Sequence, residues 1–436
     1  MMKEKCSLVR TNNLLKFAIA ILILSLNNGL KAQNDYPLNI NYYNFIHYDK
    51  NIIQFPGDST DFEHLFSKID TLILNGTGKI RIVHIGGSHI QADVYSGRMR
   101  ERLQTFYPGL NGGRGSVFPY RISKTNTPKS YTVHYTGKWQ SCRNVERKKH
   151  CILGLTGIAL TTYDTTASIT IGLNKDSLVS YYFNQIRVFY KQEKQSFQPD
   201  FPNMELDSTH TDSIAGYTTY YFKKDYTSFK MQFKKTDSLQ TAFTLYDITL
   251  ENNDPGFVYY AMGVNGASFP SFLKCALFEK HLKAIHPDLV IISLGTNDAY
   301  TTRFKPEFYR SNYQKMINRI KKVLPDVAIM ATVANDSYLF RRYPNKNTEL
   351  AQKVIYQVAK KNNCGVWDFY QIMGGFNSSS IWLHENLMRK DLVHFTVQGY
   401  LLKGDLFFNA FIKSYNNYLD AKEQINTSLK ASTKNL

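Results

Sequence analysis

The chain has 436 residues, 43% of them hydrophobic and 14% aromatic, with a formal net charge of +18. That much apolar material excludes a disordered chain and supports a large core spread over more than one domain. The positive balance implies long-range attraction to acidic polymers or surfaces, and there is no recognisable nucleic-acid-binding motif.

Lys3, Lys5 and Arg10 precede an apolar stretch from Phe17 to Leu26, and Leu30-Lys31-Ala32 ends the segment. Charged, apolar and small-residue regions in that order predict a secretory signal over residues 1–32, with an apolar run too short to span a bilayer comfortably. A periplasmic or extracellular protein follows from that reading. Cell-wall polymers, and peripheral contact with an anionic envelope surface, then fit the charge better than nucleic acid. Export also permits disulfides. Cys142 and Cys151 flank a basic stretch and are expected to bridge, whereas Cys275 and Cys364 are expected to pack as small hydrophobes. No Cys-x-x-Cys pair or His-Glu-x-x-His segment points to a metal, and no cofactor is implied.

In chain order, residues 33–60 read as a polar lead-in and residues 61–74 as a helix. The apolar run 80–85 predicts a buried strand, and Val94, Met99 and Leu103 are spaced for one buried face of a helix over 93–106. Asn111-Gly112-Gly113-Arg114-Gly115 lacks the spacing and lysine of a nucleotide-binding loop and reads as a turn near the site. Short alternating runs then take over, including 168–173, 181–190, 229–233 and 242–250, which predicts a β-sandwich over 119–253. From 254 onward strands (257–261, 289–294, 327–333, 365–369) alternate with helices (306–324, 348–361, 396–415). That rhythm implies a mostly parallel sheet between helix layers. Residues 423–436 read as a polar, frayed tail.

Four short blocks fall at strand ends or in loops: Gly86-Gly87-Ser88-His89, Gly263-Val264-Asn265-Gly266-Ala267-Ser268, Gly295-Thr296-Asn297-Asp298 and Asp391-Leu392-Val393-His394. Open α/β sheets place their sites there. A serine, an Asp-x-x-His pair and an amide side chain are what acyl transfer needs: a nucleophile, a base, a group to orient the base and donors for the oxyanion. Other readings of single residues stand beside this one. Ser88 also suits a helix cap, Asp298 a loop support, His84 a satisfied core position, and His89 a pocket wall.

Together these blocks resemble those of the GDSL, or SGNH, hydrolases. The resemblance implies a flavodoxin-like three-layer α/β/α core formed by residues 33–118 and 254–422; the inserted β-sandwich-like domain at 119–253 lies outside it, and its aromatic and basic residues suit carbohydrate binding or a purely structural role. It implies Ser88 as nucleophile, His394 as base, Asp391 as its partner, and the Ser88 and Gly266 N–H groups with the Asn297 side chain as oxyanion donors. The wider setting, Ser88-His89-Ile90-Gln91-Ala92-Asp93 with the glycine-rich loop downstream, is similar to bacterial envelope peptidoglycan O-acetylesterases. An esterase acting on an acetylated glycan, with peptidoglycan favoured, is therefore expected. The same constellation suits an O-acetyltransferase, and a non-catalytic glycan-binding protein fits the one departure: Gly87 stands where the family usually has Asp.

Overall fold

The computed structural model describes residues 42–174 and 179–434; the expected signal at 1–32 lies outside them. One sheet is built from β1 (Ile53–Gln54), β2 (Lys79–Gly86), β3 (Gly256–Gly263), β4 (Leu289–Ser293), β5 (Ala328–Thr332) and β6 (Gly365–Trp367), in the spatial order β1-β6-β5-β4-β2-β3. Short β1 is antiparallel at one edge; the other strands run parallel. Ranked by chain position, those five parallel strands stand in the order 2-1-3-4-5, the flavodoxin-like arrangement. A parallel sheet buried on both faces selects near-continuous apolar strands. Leu289-Val290-Ile291-Ile292 of β4 and Ile82 to Ile85 of β2 are accordingly all buried.

Six long helices cover the sheet: α1 (Thr60–Asn75), α2 (Tyr95–Thr105), α3 (Phe278–Ile285), α4 (Pro306–Val323), α5 (Asn347–Asn362) and α6 (Val397–Lys434). The chain moves one way from β2 to β3 and the other way from β3 through β6. Right-handed crossovers therefore put α2 on one face and α3 to α5 on the other. α6 packs on α2 and α1, and α4 on α3 and α5. Residues 423–434, expected as a frayed tail, continue α6 as helix to Lys434. No Gly or Pro interrupts that stretch, and its start is anchored where Lys422 and the Tyr415 hydroxyl both bond the buried Asp70 carboxylate (2.7 and 2.5 Å). No helix among the described residues is long and apolar enough to cross a membrane.

Between α2 and β3 the chain builds two antiparallel sheets. One takes, in spatial order, strands 206–212, 217–226, 183–190, 243–251, 158–162 and 140–143, and the other 131–136, 168–173, 228–234 and 198–200. Strand 228–234 alternates Phe229, Met231 and Phe233 inward with exposed polar residues, the pattern of a sheet with one wet face. The short pair Gly115–Ser116, upstream of the expected start at 119, already joins strand 243–251. Cys142 and Cys151 form a disulfide, and Cys275 and Cys364 are free and buried.

The glycine-rich loop sits where the parallel sheet and the sandwich cross. A Cβ at Gly115 (φ +78°) would lie 2.3 Å from the Tyr259 carbonyl, and one at Gly113 (φ +129°) 2.6 Å from Glu251 Cα. Between them Arg114 turns inward and meets Asp93 at 2.6 Å, while Arg100 of α2 meets the same carboxylate at 2.8 Å. Tyr181 and Tyr131 of the β-rich segment face the two guanidinium groups. Burial alone would raise the Asp93 carboxyl, but Arg100 and Arg114 outweigh it and hold it down at about 2. Removing one partner of such a buried cluster leaves an uncompensated charge. Asp93→Asn is therefore expected to cost about 3–5 kcal/mol, measured by urea denaturation at neutral pH. The ion pairs are at full strength above the unfolded carboxyl's pKa of about 4, and they weaken as the pH falls towards about 2. A variant as stable as the parent at pH 7 would show that the cluster holds nothing together.

Candidate active site

The parallel register brings three of the four blocks to one level. Gly86, the last residue of β2, pairs with Gly263 of β3 on one side and Ser293 of β4 on the other. Ser88, Gly266 and Asn297 follow two, three and four residues beyond those partners. The β2 edge shared with its two neighbours is also where the strand order reverses, the switch point at which open α/β sheets bind ligands. Ser88 opens a short helix, Ser88–Gln91, and Gly266 turns with φ +81°.

The fourth block arrives from the loop ahead of α6. Ser88 Oγ lies 2.8 Å from His394 Nε2, and His394 Nδ1 lies 2.9 Å from Asp391 Oδ2. The other Asp391 oxygen accepts the backbone N–H groups of Val393 and His394, both at 2.9 Å. That tight turn needs Leu392 at φ +54°, a conformation most side chains avoid. It is secured from outside, because Tyr338 N–H donates to the Leu392 carbonyl (3.1 Å) and Asn335 Nδ2 to the Val393 carbonyl (3.2 Å). Burial would raise the Asp391 carboxyl, yet the His394 and Val393 N–H donors keep it below the usual carboxylate range. An ionised carboxylate thus faces the imidazole.

Ser88, Gly266, Asn297, Asp391 and His394 all line one cleft of about 1240 Å³. The Asn297 amide is oriented by a 2.9 Å bond from Nδ2 to the Ala267 carbonyl, and Asp298 accepts the Phe269 N–H at the start of a short helix (3.1 Å). His84 is a satisfied core residue, 2.6 Å from both Tyr259 Oη and Ser293 Oγ, and burial drives its pKa down to about 3. His89 stacks on His394 with ring centroids 5.2 Å apart and meets the Tyr400 hydroxyl at 2.9 Å. Burial, then the nearby Lys403, keep it neutral, so it backs the His394 ring as an uncharged plate.

Two supports escaped sequence reasoning. Gln91 donates to Asn126 and Thr125 and accepts the Asn265 N–H (2.7 Å), tying the serine and glycine blocks to the segment that enters the sandwich. Its signal was present in the Ser88–Gln91 run but had no assigned role. Asn335 and Tyr338 hold the histidine turn from a segment that no periodicity marks.

Residues 238–402 match the GDSL-like lipase/acylhydrolase family. The match includes the Gly266, Asn297, Asp391 and His394 blocks; Ser88 lies upstream, separated by the sandwich. No curated protein sequence matches the chain. Among solved structures, a peptidoglycan O-acetylesterase is 21% identical, with a TM-score of 0.68 over 84% of this chain and 99% of that one. A lipase/acylhydrolase from Enterococcus faecalis is 23% identical over 36% of this chain and 75% of its own (TM-score 0.29). A family 3 carbohydrate esterase from Talaromyces cellulolyticus is 16% identical over 38% and 73% (TM-score 0.30). Residues 238–402 thus resemble a GDSL-like lipase/acylhydrolase domain, and the chain shares its fold with the O-acetylesterase structure over 84% of its length.

The glycine at the end of β3 has no room to change. A Cβ at Gly263 would sit 2.1 Å from the Gln91 nitrogen and 2.7 Å from the Gly87 carbonyl, both in the turn that carries Ser88. Gly263→Ala is expected to cost about 1–3 kcal/mol as an overpacked site, read as a lower urea midpoint. An unchanged midpoint would mean that the turn yields freely.

Proposed function

We propose that this protein is an exported serine esterase that removes O-acetyl groups from peptidoglycan or another acetylated polysaccharide. One observation carries the reading: the unbroken chain from Ser88 Oγ through His394 to Asp391, at 2.8 and 2.9 Å, opening into a cleft. The architecture shared with a peptidoglycan O-acetylesterase supports the choice of substrate, as does the basic composition.

Each step follows from what these groups do in such an arrangement. A serine hydroxyl is a weak nucleophile until a base takes its proton, and His394 Nε2 is within reach of that proton. Asp391 holds the ring by Nδ1 and stabilises the imidazolium formed as Ser88 attacks the acetyl carbonyl. The oxyanion is received by the Ser88 and Gly266 N–H groups and the Asn297 amide. His394 then protonates the departing sugar oxygen, which leaves as a hydroxyl. It next deprotonates a water that attacks the acetyl-serine, releasing acetate and returning the proton to Ser88.

The test is acetate release by the purified mature protein from a small aryl acetate and from O-acetylated peptidoglycan. Ser88→Ala and His394→Ala are expected to abolish release from both, and Asn297→Ala to lower turnover by about a hundred- to a thousandfold. Release that survives Ser88→Ala would place the chemistry elsewhere.

A further inference from the structure

The segment that secures the histidine turn continues into an exposed hairpin. Tyr338–Leu339 pairs with Tyr343–Pro344 in a two-stranded sheet, closed by a tight turn in which the Arg342 N–H donates to the Leu339 carbonyl (3.0 Å). Both central residues have positive φ, Phe340 at +53° and Arg341 at +61°. Hairpin turns of that kind favour Asn-Gly, because a Cβ is strained there. Here the two positions hold a phenylalanine and an arginine, and both point outward: Phe340 is 56% exposed and Tyr343 63% exposed. Arg341 and Arg342 are also exposed, and neither has an acidic partner among the described residues. A backbone strained in order to display an aromatic ring and a cation is a reason to look for a ligand.

The hairpin touches one of the four site blocks directly and the residue two positions beyond another. At its base Tyr338 bonds the Leu392 carbonyl between Asp391 and His394. At its tip the Phe340 N–H donates to the Tyr300 hydroxyl (2.9 Å), with the two rings 5.9 Å apart. Tyr300 lies three residues after Asn297. Those two contacts place the hairpin near the Asn297 and His394 side of the cleft, outside its lining.

We propose that this hairpin is a subsite for the continuing chain of an anionic glycan, with Phe340 and Tyr343 stacking on sugar faces and Arg341 and Arg342 meeting carboxylates. The inference rests on the esterase reading of the cleft and extends it to the substrate class: a carboxylate-bearing polymer rather than a neutral glycan or a free acetylated sugar. Aromatic rings match the apolar faces of pyranoses, and guanidinium groups bind carboxylates in a bidentate fork. The charge at the tip is part of the +18 excess carried by the chain.

The turn itself offers a clean experiment. The double variant Phe340→Asn, Arg341→Gly removes the aromatic ring and the guanidinium while installing residues that the backbone prefers. The full-length mature variant is expected to melt no lower than the parent. Its kcat/KM on O-acetylated peptidoglycan is expected to fall about tenfold relative to its kcat/KM on aryl acetate, the equivalent of one lost stacking or charged contact. The ratio for acetylated xylan, a neutral glycan, should fall less, and added salt should narrow the gap between parent and variant on peptidoglycan. Equal ratios for parent and variant would overturn the proposal. So would unchanged ratios with lost binding to phosphatidylglycerol vesicles, which would assign the hairpin to a membrane surface. If the parent releases acetate from neither substrate, the esterase reading fails by itself, and co-sedimentation with insoluble peptidoglycan decides. Weaker pelleting of the variant supports the subsite, and equal pelleting overturns it.

Discussion

The site depends on the alignment of three strand ends, Gly86, Gly263 and Ser293. Parallel strands bound in register deliver whatever follows them to a common height. Here the three following turns carry a serine, a glycine with positive φ and an asparagine. The alignment holds only because two of the three ends are glycine. A Cβ at Gly86 would come within 2.3 Å of the Ile90 side chain, and one at Gly263 within 2.1 Å of the Gln91 backbone. The short helix that begins at Ser88 is thus pressed against the sheet by the absence of side chains beneath it. From that helix Gln91 reaches out to Asn265 and Asn126, so the placement of Ser88 governs the neighbouring walls as well.

Attaching a large β-rich segment inside such a core sets a second constraint, because the link between β2 and β3 must leave and return without disturbing them. The apolar core is continuous across the junction, and residues such as Tyr246, Ile248, Val258 and Tyr260 belong to one cluster. Apolar contact alone sets no unique orientation. The carboxylate of Asp93, shared by Arg100 and Arg114 and closed off by Ser96 and Ser130, has few alternative arrangements. Buried charges contribute little net stability compared with apolar packing of the same volume, yet a misplaced one costs several kcal/mol. The cluster links helix α2, the glycine-rich loop and the β-rich segment through one shared carboxylate. It also forms one wall of the cleft.

Much of this was legible in the residues, for identifiable reasons. The apolar runs of β2 and β4 mark strands buried on both faces, and their alternation with helices points to a parallel sheet. The Asp-x-x-His spacing fits a turn in which one carboxylate binds both the imidazole and the backbone, and the two residues do meet in that way. The disulfide was legible because only eight residues lie between Cys142 and Cys151, in a polar loop. Long-range partners were not. Asp93 looked like the start of a helix, and Arg114 like part of a turn, because a shared ion pair leaves no periodic mark on either segment. The same holds for Tyr400 on His89 and Tyr338 on Leu392. The end of α6 was misjudged because a polar helix without an apolar stripe is indistinguishable from coil in the sequence, and its anchor at Asp70 lies 352 residues away.

Gly87, where the resemblance to GDSL hydrolases implies an Asp, has a φ of −91°, outside the left-handed region that favours glycine. Its lack of a side chain acts through Asn297. A Cβ at position 87 would stand 3.1 Å from Asn297 Nδ2 and 3.5 Å from the Ala267 carbonyl, the two atoms joined by a 2.9 Å hydrogen bond. A carboxylate in that place would offer the amide a charged acceptor and draw it from Ala267. With glycine there, the backbone of the Gly266 block orients the amide instead. An asparagine amide has two N–H donors. The Ala267 carbonyl takes one, and no described residue takes the other in the cleft that Ser88 shares. In this chain the Ala267 carbonyl orients the Asn297 amide, and its second N–H remains available in the cleft.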